Sequence, residues 1–230
     1  MHADGAPQVE LYASLASAYC YFAIERASPF VAAGEIAIDL VPVLPMALRR
    51  PGFYDDAPAQ EAPYLLRDMR RTAAFLGLTY VDANPPVIAF ASETDWRPTP
   101  DQRRLERLYG LMLAASDQGA GFAFAREVMR EIWGGRGAGW DRDERLDAAA
   151  RRAGLELAQL AQAAATTEAE RADRLSDNDA RLSAAGHWGT PCFVNDGEPF
   201  FGQDRFDQLL WRLGLGAQAA RPALLTRSER

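Results

Sequence analysis

Ser17 and Cys20 stand three residues apart, where a short predicted strand gives way to a predicted helix. The free N–H groups and partial positive charge of a helix N-terminus stabilise anions such as a thiolate. A serine hydroxyl there can donate a hydrogen bond to a sulfur anion held in front of the helix, but it cannot form a disulfide. The spacing is that of a Cys-x-x-Cys motif with its first thiol replaced. Ser17 could equally be a plain helix N-cap, and Cys20 a small buried core residue.

A second segment of interest, Gly189-Thr190-Pro191, precedes a predicted strand near the end of the sequence. A proline at this point can simply open an edge strand. In a thioredoxin-like layout the Thr190–Pro191 peptide bond would be cis and would face the start of the first helix. The backbone N–H and C=O of Thr190 could then pair with an extended, peptide-like ligand. We interpret Cys192, the next residue, as a strand core residue, with pairing to Cys20 as a remote alternative.

Gln203 and Asp204 begin the last predicted helix. A carboxylate in the first turn is favoured by the helix dipole, and this plain explanation suits Asp204. The same carboxylate could instead take the ammonium of a small zwitterionic ligand, with Gln203 assisting.

Other kinds of catalytic centre are not indicated. His, Cys and carboxylates do not occur at metal-binding spacing, so we expect no metal site. The two histidines are His2, near the start of the sequence, and His187. Ser17 is not in a nucleophile-elbow sequence, which argues against a serine–histidine triad. A phosphate-binding glycine loop is also missing.

The elements that must position these residues begin with a βαβ unit. Residues 8–13 are predicted to form a strand, residues 17–33 a helix that Gly34 ends, and residues 35–43 a second strand with apolar and polar residues in alternation. Strand, helix and strand in so short a stretch imply a parallel pair with a right-handed crossover.

A long helical block follows the βαβ unit. Residues 45–60, rich in Pro and Asp, are predicted to form a loop, and residues 61–76 a helix that ends at Gly77. After a break at 82–87, the pattern is helical from about 100 to 185. Strand signals then return at 192–196 and 198–202 around an Asp196-Gly197 turn, and a helix is predicted at 204–214. The whole is an α/β fold, one sheet domain with a helical insertion.

Composition narrows the class of protein. The chain has 230 residues, a net charge of -7 and two cysteines, and all 25 of its basic residues are arginine. A nucleic-acid binder would normally show a basic face, so we expect none of that activity. The sequence contains no apolar run long enough for a membrane span and no signal peptide, so we expect neither a membrane partner nor secretion. The simplest interpretation is a cytoplasmic protein with free thiols.

Three segments together resemble the 2-hydroxychromene-2-carboxylate isomerases and kappa-class glutathione transferases of the DsbA-like thioredoxin superfamily. VELYASLASAYCYFA (9–23) resembles their opening strand and helix, with Ser17 at the family's active-site serine. YLLRDMRRTAAFLGL (64–78) resembles their first lid helix. GHWGTPCFVNDGEPFFGQDRFDQLLWRLG (186–214) resembles their cis-proline segment, hairpin and closing helix.

The resemblance implies a thioredoxin-like domain built from residues 8–44 and 186–215, an inserted helical domain over 45–185, and a tail over 216–230. It also implies a glutathione-dependent isomerase, in which the thiolate adds to an unsaturated aromatic-pathway acid and later leaves; glutathione transferase activity is a further possibility. Related proteins are typically homodimers, and we expect one here.

The resemblance assigns roles to particular residues. Ser17 would orient the thiolate, Thr190 beside Pro191 would pair with the glutathione backbone, and Gln203 with Asp204 would hold the γ-glutamyl end. The expected residues of the substrate pocket are Tyr19, Asn84 and Trp188.

Departures from the family pattern leave alternatives open. Ala18 replaces the usual proline, Glu61 falls where a lysine is common, and residues 51–56 read PGFYDD in place of the usual Gly-Asn-x-x-Pro signature. One alternative is a DsbA-like thiol–disulfide oxidoreductase, although Ser17 stands where the attacking thiolate should be. The other is an enzyme or binding protein with a remodelled, glutathione-independent site.

Overall fold

The computed structural model describes residues 5–53, 55, 57, 58, 60–92, 97–136 and 138–215. A four-stranded sheet forms its centre, with strands in the spatial order β2-β1-β3-β4. The strands are β1 (Gln8–Ala13), β2 (Ala37–Pro42), β3 (Cys192–Asn195) and β4 (Glu198–Phe201). Strand β1 runs parallel to β2 and antiparallel to β3, and β4 is antiparallel to β3. The predicted parallel pair and the predicted hairpin are both confirmed.

Helix α1 (Ala18–Ala32) makes the crossover between β1 and β2. Its buried side chains include Phe22, Ile24 and Ala27, which pack on one face of the sheet. Gly34, with a φ of 71°, follows the helix and turns the chain towards β2. Both predicted boundaries of the helix lie within one residue of those observed.

Seven α-helices and one turn of 3₁₀-helix (Glu168–Glu170) are described between β2 and β3, within the range 45–185. The α-helices are α2 (Met46–Arg49), α3 (Glu61–Leu76), α4 (Arg103–Asp117), α5 (Gly121–Ile132), α6 (Asp143–Arg152), α7 (Leu157–Thr166) and α8 (Arg171–Ala184). The prediction of a loop over residues 45–60 was therefore wrong at α2. A single turn is too short to show apolar periodicity and owes its stability to tertiary contacts.

The chain closes with a hairpin and a short helix. Asp196 and Gly197 both have positive φ, 49° and 78°, as the tight turn between β3 and β4 requires. The predicted helix over 204–214 is in two parts: one turn of 3₁₀-helix (Gln203–Arg205) and then α9 (Phe206–Arg212). The predicted tail, residues 216–230, lies outside the described residues.

The sheet has one core on each face. Successive strand residues point to opposite faces, so Leu11 and Phe193 pack with α1 and α9, whereas Tyr12, Cys192 and Val194 lie on the other face with Leu182 of α8. No helix of the described part of the chain is long and apolar enough to cross a bilayer.

Candidate functional site

Ser17 lies in the turn between β1 and α1, where it is the N-cap of α1 with extended backbone angles, φ −119° and ψ 120°. Its backbone N–H donates to the carbonyl of Ser14 at 3.1 Å. Its hydroxyl makes no capping hydrogen bond to the helix, and the residue is only partly buried. The side chain therefore does not perform the capping role that would explain a serine here on stability alone.

The start of α1 also leaves two backbone donors unused. The amides of Cys20 and Tyr21 both donate to the carbonyl of Ser17, at 3.0 and 3.3 Å. Within the part of the chain that the structure describes, the N–H groups of Ala18 and Tyr19 have no acceptor. Two free N–H groups, beside a hydroxyl that does not cap the helix, form a site that favours an anion at the end of a 15-residue helix.

Cys20, one turn further along α1, is fully buried. Its sulfur accepts a hydrogen bond from the backbone N–H of Ser14 at 3.3 Å. Burial raises the pKa of this thiol to about 11, and the nearby Ser14 N–H and the Ser17 and Thr190 side chains oppose the shift only in part. At neutral pH Cys20 is a protonated, enclosed thiol and not a nucleophile.

The structure does not support the remote alternative in which Cys20 pairs with Cys192. Both cysteines are free and buried. Cys20 belongs to the core between the sheet and α1, whereas Cys192 belongs to the core on the opposite face. Two side chains on opposite faces of a sheet do not point towards each other, which argues against a disulfide between these cysteines.

The peptide bond between Thr190 and Pro191 is cis, as the sequence predicted for a thioredoxin-like layout. The carbonyl of Pro191 accepts the N–H of Gly202 at 2.8 Å, which ties this segment to the end of β4. The N–H and C=O of Thr190 itself have no partner among the described residues. Because the Ser17 and Thr190 side chains both interact with the sulfur of Cys20, the structure brings the start of α1 and the cis-proline segment together.

Arg49 is a site residue that the sequence did not reveal, because it falls in the segment predicted as a loop. Its side chain is only 8% exposed and pairs with Asp179 of α8. It also donates to the carbonyls of Leu44 at 2.7 Å and Trp188 at 3.0 Å. One guanidinium thus joins the end of β2, the helical insertion and the cis-proline segment.

Trp188 is half exposed and forms part of an aromatic stack. Its ring lies 4.5 Å from that of His187 at an interplanar angle of 7°, and His187 stacks on Phe201 of β4 at 4.2 Å. Gly189 permits this packing, since a Cβ there would fall 2.4 Å from a ring carbon of Phe201. Partial burial lowers the pKa of His187, while its Nδ1 accepts the Gly189 N–H.

Tyr19 connects the start of α1 with the helical insertion. Its hydroxyl donates to Asp68 of α3 at 2.6 Å, and Asp68 is also paired with Arg71. The guanidinium of Arg71 lies 5.8 Å from the ring centroid of Tyr64. The Tyr19 hydrogen bond, followed by the contacts with Arg71, lowers the pKa of Asp68, so the carboxylate stays ionised beside the site.

The remaining predicted residues lie in three different surroundings. The side-chain and backbone oxygens of Gln203 accept hydrogen bonds from Arg26 of α1 at 3.1 and 2.6 Å. Asp204 is exposed and pairs with the adjacent Arg205 at 2.7 Å. Asn84 lies in the connection between α3 and α4, where its carbonyl accepts the N–H of Gly139 at 2.7 Å.

A groove of about 400 Å³ lies elsewhere, at the start of α4, and Arg104, Arg107 and Trp140 are among its lining residues. Both arginines are paired, with Asp141 and Asp143. We place the candidate site at Ser17 instead, because the unused polar groups are there. No cluster of His, Cys and carboxylates that could hold a metal occurs among the described residues.

The cis-proline segment facing the start of α1, on a β2-β1-β3-β4 sheet, defines a thioredoxin-like protein. A family model of the DSBA-like thioredoxin domain matches residues 8–214, and the chain belongs to that family. No curated protein sequence matches it.

Several solved structures share the fold. A 2-hydroxychromene-2-carboxylate isomerase is 17% identical with a TM-score of 0.66, over 90% of this chain and 94% of that one. A probable DsbA oxidoreductase from Streptomyces coelicolor is 20% identical with a TM-score of 0.59, over 90% of each chain. The cytosolic disulfide reductase DsbM from Pseudomonas aeruginosa is 18% identical with a TM-score of 0.53, over 91% of this chain and all of that one.

Proposed function

We propose that this protein is a glutathione-dependent isomerase of an unsaturated aromatic acid, resembling 2-hydroxychromene-2-carboxylate isomerase. The observation that carries the proposal is the pair of unused N–H groups of Ala18 and Tyr19 at the start of α1, beside a Ser17 hydroxyl that does not cap the helix. These groups fit a thiolate supplied by a bound ligand, because the protein offers no accessible thiol of its own here.

The proposal assigns a separate role to each group of site residues. The Ser17 hydroxyl and the helix N-terminus stabilise and orient the sulfur anion. The unpaired N–H and C=O of Thr190 bind the peptide backbone of the tripeptide, as an added strand would. Gln203 and Asp204 hold its γ-glutamyl end, and Tyr19, Asn84 and Trp188 line the pocket for the acid.

When bound, glutathione supplies a thiolate that adds to a double bond conjugated with a carbonyl, leaves a single bond free to rotate, and departs unchanged as the double bond re-forms. The chain holds the acid beside the sulfur so that this addition is effectively intramolecular. The proposal includes a homodimer in the cytoplasm, where the thiols stay reduced.

Thiol–disulfide exchange is the weaker candidate. Membership of the DSBA-like family favours it. The geometry disfavours it, because exchange needs a thiolate that can reach another chain's sulfur, whereas Cys20 is fully buried and protonated at neutral pH.

Calorimetric titration with reduced glutathione tests the proposal. We expect saturable binding to the wild-type protein and weaker binding, about tenfold, to Ser17→Ala, which is about the value of a hydrogen bond to a charged group. S-methylglutathione has no thiol to ionise, so Ser17→Ala should leave its affinity unchanged. Ser183→Ala, an exposed serine on α8, is the matched control.

Two results would overturn the proposal: no binding at millimolar glutathione, or equal affinities of wild type and Ser17→Ala. The first result would favour the glutathione-independent alternative suggested by Glu61. Once binding is established, conversion of 2-hydroxychromene-2-carboxylate and related acids with and without glutathione identifies the reaction.

A further inference from the structure

Arg49 and Arg50 are neighbours in sequence with opposite surroundings. Arg49 is nearly buried, and its charge is neutralised by Asp179. Arg50 is exposed, and its guanidinium carbon lies 5.9 Å from the ring centroid of Trp188. Within the described residues Arg50 contacts no carboxylate. The charge of Arg49 is therefore neutralised within the protein, whereas the charge of Arg50 is available to a ligand.

Among the described residues, an arginine without a carboxylate partner is unusual. Most arginines that the structure describes lie within 4.0 Å of a carboxylate, as in the pairs of Arg26, Arg70 and Arg104. Arg67 of α3 and Arg142 at the start of α6 are other exposed arginines without a described carboxylate partner. Of these three, Arg50 is the one with a described contact to Trp188, which places its cation beside the cis-proline segment.

The indole beside Arg50 is held in place from two directions. Its ring stacks on His187, which stacks on Phe201. Its carbonyl accepts a hydrogen bond from Arg49 at 3.0 Å. Even so, 52% of Trp188 is exposed, so part of the indole is open to solvent two residues before Thr190. A fixed and partly exposed aromatic ring is a low-entropy contact for a planar ligand.

We propose that Arg50 and Trp188 together form a binding site for a planar aromatic carboxylic acid. The guanidinium binds the carboxylate through its fork of N–H donors, and the exposed part of the indole contacts the aromatic body. This inference rests on the proposed function and extends it. It names the residues that recognise the carboxylate and the aromatic ring of the substrate. A net charge of -7 makes a local cation the more necessary, because an anion must approach against the overall field.

Calorimetry with cinnamate and cinnamamide, without glutathione, tests the site. The two ligands share the ring and the double bond, and only cinnamate carries a charge. We expect cinnamate to bind the wild-type protein, and Arg50→Gln to weaken that binding five- to tenfold, the range for a partly exposed charged hydrogen bond. Cinnamamide should bind both proteins equally weakly. Trp188→Ala should weaken binding of both ligands.

The controls separate a binding role from a structural one. Arg142→Gln removes an exposed arginine charge at the start of α6, where no contact with Trp188 is described. This variant should leave the cinnamate affinity unchanged. Arg50→Lys should retain part of the affinity. Thermal midpoints of all variants check the fold, and Arg50→Gln should match the wild type because its side chain is exposed.

The results distinguish a failure of the acid site from a failure of the proposed glutathione-dependent reaction. If glutathione does not bind but cinnamate binding depends on Arg50, the acid site stands and the thiol mechanism falls. If glutathione binding depends on Ser17 but Arg50→Gln leaves the cinnamate affinity unchanged, or cinnamate does not bind at all, the acid site is wrong. A loss of glutathione affinity in Arg50→Gln with unchanged cinnamate affinity would assign Arg50 to a carboxylate of the tripeptide and would overturn its role in substrate binding.

Discussion

Glu25 of α1 and Arg130 of α5 form a bidentate pair, with N–O distances of 2.7 and 2.8 Å. The Glu25 side chain is 8% exposed and that of Arg130 26%. The pair therefore joins the crossover helix of the thioredoxin-like domain to the helical insertion through an interface that excludes most water.

We expect Glu25→Gln to lower the free energy of unfolding by about 2 kcal/mol, because Arg130 loses its carboxylate in a mostly buried position. The cost should be below that of a fully buried pair, since Arg130 also lies 3.2 Å from Glu127. Urea unfolding at neutral pH measures it. Arg151→Gln breaks the exposed pair with Asp147 and should change the same quantity by less than about 0.5 kcal/mol. Equal effects of the two substitutions would contradict the role of the interface.

Tyr109 offers a test of how α4 supports the site. Its buried hydroxyl donates to the carbonyl of Val43 at 2.7 Å and accepts the N–H of Leu15 at 3.3 Å, two residues before Ser17. Tyr109→Phe keeps the ring but leaves these backbone groups unpaired, so we expect a loss of about 2 kcal/mol in unfolding free energy. Chemical denaturation measures the loss. Tyr64→Phe, on the exposed part of α3, is the control and should be nearly neutral.

We expect Ser17→Cys to introduce thiol–disulfide chemistry at the start of α1. The new thiol would lie at the start of α1, where the dipole lowers its pKa, and close to the buried sulfur of Cys20, which the Ser17 side chain already contacts. We expect the variant to form an intramolecular disulfide with oxidised glutathione and to reduce insulin. Counting thiols after denaturation measures the first effect.

The wild-type protein, given the same treatment, should keep both of its thiols. Ser183→Cys places a new thiol on the exposed face of α8 and should form only mixed disulfides. If Ser17→Cys also forms only mixed disulfides, Cys20 is not close enough to the new thiol to form an intramolecular disulfide with it.

Stability should fall as the pH rises above 9, because burial raises the pKa of Cys20 from its ordinary 9.0 to about 11. Between these values the unfolded chain releases the thiol proton and the folded chain retains it, so each step in pH favours unfolding. The stabilisation is complete below pH 9 and is lost through pH 11. We expect a loss of about 1 kcal/mol from this group at pH 10.

Urea unfolding at pH 8 and pH 10 measures the effect. Tyr19 and Tyr109, whose pKa values burial also raises, contribute in the same direction. The share of Cys20 is therefore the difference in slope between the wild-type protein and Cys20→Ala. Identical slopes would show that the thiol is not enclosed. The rate of thiol alkylation provides a second measurement. We expect it to be slow in the native protein and rapid in the unfolded chain.

Much of the fold could be predicted because the local patterns are strong. The bounds of β1 and α3 agree with the structure to the residue. Period-two alternation indicated β2, and the Asp196-Gly197 pair, whose φ angles are both positive, indicated the hairpin. Part of the site could be predicted for the same reason, since Ser17 and Thr190 each stand at the junction of a loop and a regular element.

Other parts of the site could not be predicted, because they depend on residues far apart in sequence. Tyr19 and Asp68 are 49 positions apart, and their contact depends on how α3 packs against α1. Arg49 and Trp188 are 139 positions apart, and neither stands in a periodic segment that would reveal a contact. From the sequence, a pairing of the two cysteines stayed open as a remote alternative. The tertiary structure places them on opposite faces of the sheet.

The sequence by itself determined the βαβ and ββα halves, the helical block between them, and a hydroxyl where a redox motif would have its first thiol, because these follow from periodicity, turn residues and spacing. Only the tertiary structure decided which polar groups stay unused. The capping bond that Ser17 does not make, the burial that keeps Cys20 protonated, and the carboxylate that pairs with Arg49 but leaves Arg50 free all depend on which distant side chains share the same space.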